Sequence, residues 1–244
     1  MTQRLCLSEP DECPIVPVGC CCETFNFWSL LKGMHWSAPP GTSGLIFDCD
    51  GTLADTMPIH YRAWTTMLSR YGIPLDEAKF YSLGGMPTAQ IIHLLAQEAG
   101  VPLSDVDSMV AEKESAFLQH LNSVQAIPPV LQLAEKYRGQ LPLAVASGGY
   151  RPVVMQTLNR IGVADWFPVV VCAEDTTRHK PEPDVFLEAA RRLGVTEPQR
   201  CVVFEDTDIG LEAARRAGML GVDVRPWLPP RVGDHHSGQI LRQR

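Results

Sequence analysis

The chain of 244 residues is 45% hydrophobic and 20% charged, the balance of a globular protein rather than a fibrous or disordered one. Its 28 Asp and Glu outweigh 21 Lys and Arg, and the formal charge of −7 argues against a broad nucleic-acid or anionic-membrane surface. No apolar run reaches the roughly 20 residues that cross a bilayer, and no basic segment and apolar core follow Met1, so a cytoplasmic protein without membrane or nucleic-acid partners is expected.

Residues 1–42 carry scattered prolines and little periodicity, and read as an irregular N-terminal extension in which Met34 is an alternative start. The Cys20-Cys21-Cys22 run has neither CxxC spacing nor a histidine at ligand distance and is read as non-functional. Cys49, Cys172 and Cys201 fall in apolar segments and are expected to be small, buried, reduced side chains.

From residue 44 the pattern sharpens. Apolar runs at 44–48, 141–146, 168–172 and 200–205 have the length of strands buried on both faces, and helical patterns follow most of them. One such helix runs from Asp184, read as its N-cap, to Leu193 with Gly194 beyond; another runs from Thr207 to Ala217 with Gly218 as terminator. Between 57 and 128 helical spacing takes over, with Ile91, Leu94, Leu95 and Ala99 on one stripe, and Val106, Met109, Val110 and Phe117 on another after Ser104 as cap. The expectation is an α/β protein. A Rossmann-like parallel sheet core (43–56 and 129–225) carries an inserted all-helical cap (57–128), and 226–244 form a C-terminal tail with a solvated His235-His236 pair.

In an open parallel sheet, ligands bind beyond the carboxyl ends of the strands. Asp48 and Asp50, Ser147, Lys180, and Glu205 with Asp206 all fall there. Each alone suits a turn, a surface or a helix N-terminus. Together, three aspartates at short range are unfavourable without a cation, and Mg²⁺ resolves this because it takes oxygen ligands and accepts a phosphate oxygen. Lys180 adds a second positive charge and Ser147 a hydroxyl, a combination suited to phosphoryl transfer. The i, i+2 spacing puts Asp48 and Asp50 on one side of an extended chain and Cys49 on the other, with Gly51 permitting a sharp turn.

The four motifs Asp48-Cys49-Asp50-Gly51-Thr52, Ser147, Lys180-Pro181 and Glu205-Asp206 resemble those of the haloacid dehalogenase superfamily of phosphohydrolases, over about residues 44–225. The resemblance implies that Asp48 attacks phosphorus to form an aspartyl-phosphate, while Asp50 protonates the leaving alcohol and then deprotonates water. It implies Mg²⁺ held by Asp48, the Asp50 carbonyl and Asp206, with Glu205 an outer partner, and a phosphoryl group bound by Ser147, Gly148, Lys180 and Thr52. Asp55-Thr56, His60 to Trp64, and Val203 to Asp206 followed by Gly210 look like the beta-phosphoglucomutase branch. The mutase's cap lysine and arginine are replaced by Gly84 and Thr88, which argues for hydrolysis. The Gly85-Met86-Pro87-Thr88 pattern looks like the fructose-1-phosphatase/6-phosphogluconate phosphatase type, and marks Gly85, Pro87 and Thr88 as substrate-facing.

The resulting expectation is a Mg²⁺-dependent sugar-phosphate phosphatase, a monomer acting on a small phosphate ester. The alternatives are a beta-phosphoglucomutase and a catalytically idle scaffold. His60 is either a partner of Asp50 or a hinge residue; His179 is read as exposed, and Asp208 as a first-turn acid that could tune the metal.

Overall fold

The structure, a computed structural model, describes residues 36–228. The Cys20-Cys21-Cys22 run, Met34 and the His235-His236 pair lie outside the described residues. β1 (Gly44–Phe47) is buried on both faces, as its unbroken apolar run predicts. A turn leads to the two-residue β2 (Ala54–Asp55), then to α1 (Met57–Arg70), α2 (Glu77–Ser82), α3 (Thr88–Ala99) and α4 (Val106–Leu118). β3 (Gln125–Ala126) returns beside β2 as an antiparallel pair, so both links to the four helices cross at one short ribbon.

The rest alternates: α5 (Pro128–Tyr137), β4 (Leu143–Ala146), α6 (Arg151–Arg160), β5 (Val169–Val171), α7 (Asp184–Arg192), β6 (Cys201–Glu205), α8 (Asp208–Arg216) and β7 (Leu220–Asp223). Five strands make one parallel sheet in the order β5-β4-β1-β6-β7. The chain moves outward from β1 through β4 and β5, then returns to β6 and β7. The crevice at the carboxyl end of β1 is therefore flanked by the ends of β4 and β6.

Strand alternation builds a core on each face. Leu45 and Phe47 meet Val145 and Phe204 under α5 and α6, whereas Ile46, Ala144 and Val203 face Phe186 of α7 and Ala213 of α8. The Phe47 and Phe204 rings stack at 4.7 Å, and burial of such a side chain contributes about 1.5–3 kcal/mol. The four inserted helices have their own apolar cluster around Trp64, Met67, Phe80 and Ile92. No helix among the described residues is long and apolar enough to cross a membrane.

Several local expectations need correction. The block 57–128 is not wholly helical, because Gln125–Ala126 is a strand too short for a periodicity to reveal. β7 was not anticipated; it is an edge strand with Leu220 and Gly221 exposed and Val222 and Asp223 half-buried, so its apolar signal is weak. Pro183, not Asp184, precedes α7, and the Asp184 carboxylate instead accepts from Arg178 Nε at 3.0 Å. Asp105, not Ser104, caps α4, accepting from Ser108 N at 2.9 Å. On α3 the buried face is Ile91, Ile92, Leu95 and Ala96, with Ala99 exposed. Thr207 caps α8 as expected, accepting from Gly210 N at 3.0 Å.

The segments expected to be irregular also contribute to the core. Trp36, Ala38, Trp227 and Leu228 pack against the first face of the sheet. Trp36 sits edge-on to Phe204 at 4.9 Å and to Tyr137 at 5.8 Å, and the Tyr137 hydroxyl accepts from Ala38 N at 2.8 Å. Replacing Trp36 with Ala is expected to cost about 1–3 kcal/mol, lowering the melting temperature by several degrees. An unchanged melting curve would show that the segment before β1 adds nothing to the core.

Candidate active site

Asp48 follows β1 directly, and its backbone N–H donates to the Phe204 carbonyl of β6 at 3.0 Å, extending the parallel pairing to the acid itself. The chain then folds back, with Leu53 N and Ala54 N both donating to the Cys49 carbonyl at 3.0 Å. Asp48 and Asp50 consequently line one solvent-open cleft, while Cys49 is fully buried in the opposite core. Gly51 is in the left-handed region at φ +85°, and a Cβ there would lie 2.2 Å from Asp206 Oδ2. Glycine thus allows both the turn and the approach of Asp206 to this loop.

Lys180 is the cationic centre of the site. Its Nζ donates to Asp48 Oδ1 at 2.6 Å and Glu205 Oε1 at 2.8 Å, and lies 4.9 Å from the centre of the Phe186 ring. Two of its three N–H donors are engaged in these contacts. Glu205 is fixed in turn: its Oε2 accepts from Thr207 N at 2.6 Å and Thr207 Oγ1 at 2.9 Å. α8 comes so close that a Cβ on Gly210 would lie 1.9 Å from Glu205 Oε1. Burial disfavours the Lys180 ammonium, but Asp48 and Glu205 more than offset this and raise its pKa above the usual lysine value.

Burial pushes the Asp48 carboxyl well up; Lys180 opposes this, while the charges of Glu205, Asp206 and Asp50 add to it. One ammonium, that of Lys180, thus faces several carboxylates, and the site is short of positive charge. The sequence resemblance implies a divalent cation there, with the Asp48 carboxylate, the Asp50 backbone carbonyl and Asp206 as the residues that would hold it. No group of three or more His, Cys, Asp and Glu suited to hold a metal occurs among the described residues. A set of two carboxylates and one carbonyl suits a hard cation that keeps waters and takes further oxygens from a ligand.

Asp50 has different surroundings. Its Oδ1 accepts from Thr56 Oγ1 at 2.7 Å and contacts His60 Nε2 at 3.2 Å, and Lys113 Nζ stands 3.1 Å from His60 Nδ1. An ammonium can only donate, so Nδ1 accepts and the imidazole proton resides on Nε2, directed at Asp50. Burial and the nearby Lys113 charge lower the His60 pKa, leaving a neutral ring at pH 7. Although burial favours protonation of Asp50, His60, Thr56 and Lys113 hold its carboxyl below the usual carboxylate range. Two acids two residues apart thus titrate in opposite directions.

Ser147, Gly148, Gly85 and Thr88 also line the cleft. Ser147 Oγ accepts from Gly149 N at 3.0 Å, and a Cβ on Gly148 would lie 2.4 Å from the Gly85 carbonyl oxygen, so inserted helices and sheet meet here backbone to backbone. Four expectations are corrected. Thr52 is fully buried and its hydroxyl donates to Asp206 Oδ1 at 3.0 Å rather than facing the cleft. Pro87 precedes α3 outside the cleft wall. His179 is half-buried, and Asp208 is an exposed partner of Arg225 at 2.8 Å. Lys113 and Glu114, both in the cleft wall, were missed. The available signal was Lys113 itself, placed four residues from Met109 and from Phe117 on the buried stripe of α4.

A family model for haloacid dehalogenase-like hydrolases matches residues 45–224, from β1 through the inserted helices to the end of the sheet. The chain is 40% identical over 184 residues to a fructose-1-phosphate phosphatase of Escherichia coli K12, covering 75% of this chain and 96% of that protein. It is 30% identical over 178 residues to a phosphorylated carbohydrates phosphatase of Thermotoga maritima, covering 72% and 81% respectively. A crystal structure of beta-phosphoglucomutase from Clostridium difficile shares the fold, with a TM-score of 0.68 at 24% identity over 74% of this chain and 83% of that chain.

Replacing Lys180 with Met leaves Asp48 and Glu205 buried without their cation, an expected loss of about 3–5 kcal/mol in urea unfolding without divalent cations. The folded variant's Asp48 carboxyl, pushed up by burial and no longer opposed by Lys180, binds a proton where the unfolded chain does not. Its stability therefore falls as pH rises, and the deficit is larger at pH 8 than at pH 5. A pH-independent deficit would show that the carboxylates do not depend on Lys180.

Proposed function

The chain belongs to the haloacid dehalogenase-like hydrolases, and we propose that it is a Mg²⁺-dependent sugar-phosphate phosphatase. Its proposed substrate is an ester of the fructose 1-phosphate kind. The observation that carries this reading is the pair Asp48 and Asp50 in one cleft, the first on Lys180 and the second on His60. One acid is placed beside a cation that offsets charge at phosphorus, and the other is held by groups that move protons.

In this reading an Asp48 carboxylate oxygen attacks phosphorus, the ester P–O bond breaks, and the departing oxygen takes a proton from Asp50. Asp50 is ionised in the free site; the negative phosphoryl group arriving beside it raises its proton affinity. Once the alcohol has left, Asp50 removes a proton from the water that cleaves the aspartyl-phosphate. Thr56 and His60 keep the Asp50 carboxylate in place for both transfers. The remaining donor of Lys180 and the hydroxyl of Ser147 receive the phosphoryl oxygens. Mg²⁺ supplies Lewis-acid stabilisation of phosphoryl charge.

The Gly84-Gly85 turn supports hydrolysis over phosphoryl return. A Cβ on Gly84 would lie 3.0 Å from Thr207 Cγ2 and 3.3 Å from the Tyr81 carbonyl oxygen, so a lysine at 84 does not suit this seating. Thr88 Oγ1 is directed at Glu114 at 2.7 Å. The cap thus lacks, at these two positions, the cations needed to grip a bisphosphate by its second phosphate.

Purified protein with Mg²⁺ is expected to release phosphate from fructose 1-phosphate, and Asp48→Asn to abolish release while remaining folded. An active Asp48→Asn variant would remove the nucleophile assignment. Conversion of beta-glucose 1-phosphate to glucose 6-phosphate without phosphate release, given a trace of bisphosphate, would show a mutase instead.

A further inference from the structure

The cleft wall contributed by α4 contains a carboxylate that the hydrolytic reading does not use. Glu114 Oε1 accepts from Thr88 Oγ1 at 2.7 Å and from Lys113 Nζ at 3.1 Å, and its Oε2 accepts from Lys113 Nζ at 3.2 Å. Lys113 directs its remaining donor to His60 Nδ1 at 3.1 Å. With all three ammonium N–H groups engaged, Lys113 has none left for an anion on a substrate. The Lys113 and Glu114 charges also cancel, while Met57, Trp64, Phe80 and Ile91 make much of the surrounding wall apolar.

Resting on the phosphatase reading, we infer that Glu114 is a specificity-determining residue that selects phosphomonoesters with an uncharged polyol leaving group and rejects those bearing a second acidic group. Two physical effects converge. Glu114 Oε2 has acceptor capacity left for a sugar hydroxyl. A carboxylate or second phosphate in the same place faces a fixed like charge and finds its only nearby α4 cation already saturated. The choice is made by repulsion as much as by attraction. Glu114 acts on the leaving group, and the reacting phosphoryl group is left to Asp48, Ser147 and Lys180.

Glucitol 6-phosphate and 6-phosphogluconate form a matched pair, differing only in a terminal CH₂OH or carboxylate. With Mg²⁺ and the full chain, kcat/KM is expected to favour glucitol 6-phosphate by roughly tenfold or more. Glu114→Gln keeps the shape but removes the charge, and is expected to narrow that ratio by about fivefold or more, chiefly through a lower KM for 6-phosphogluconate. Glu114→Asp, which keeps the charge, should retain the preference. A wild-type ratio near one, or a ratio unchanged in Glu114→Gln, overturns the inference; should Glu114→Gln not fold, the ratio in Glu114→Ala decides it in the same way. Phosphate release from neither ester nor from p-nitrophenyl phosphate instead overturns the phosphatase reading, and this inference with it.

Discussion

The bridge from Lys180 to Asp48 and Glu205 is the contact on which the rest of the site depends. It joins the end of β1, the end of β6 and the loop beyond β5, three segments that are distant in sequence. An ammonium this deeply buried is tolerated because two carboxylates meet it at hydrogen-bond distance, and the carboxylates are tolerated because of the ammonium. Glu205 is then held by Thr207, the residue that also caps α8. Start of helix, end of strand and charge of the site are parts of one network, so a disturbance at Gly210 reaches Asp48 through Glu205.

The second acid belongs to a separate chain of contacts. Asp50, His60, Lys113, Glu114 and Thr88 follow one another at hydrogen-bond distance. This line begins at the sheet and ends on α3, so the group proposed to move protons and the wall proposed to meet the leaving group share a support. Its ordering of polarity is consistent throughout: neutral imidazole between carboxylate and ammonium, then ammonium against carboxylate. Two of the inserted helices, α1 through His60 and α4 through Lys113, contribute to the electrostatics of Asp50 as well as to the cleft wall.

Much of this was legible because Asp48, Ser147, Lys180 and Glu205 each follow an apolar segment, and strand ends on one sheet converge whatever the intervening sequence. The α/β class followed from the same runs. Lys113 and Glu114 were not legible in that way: adjacent opposite charges on a helix usually mean a solvated face, and Thr88 is 26 residues from Glu114. Thr52 showed the reverse problem, a motif residue whose hydroxyl serves Asp206 rather than the cleft. β7 escaped because an edge strand needs little burial, and Trp36 because a single aromatic outside any periodic run carries no pattern until its neighbours are known.

Where Gly148 meets Gly85, no side chain from either residue takes part. A contact made of main chain does not depend on which side chains line the cleft behind it. The packing of inserted helices on sheet at this point and the chemistry of the cleft wall are thus carried by different atoms, so a wall residue such as Glu114 can be replaced without altering the Gly85–Gly148 approach.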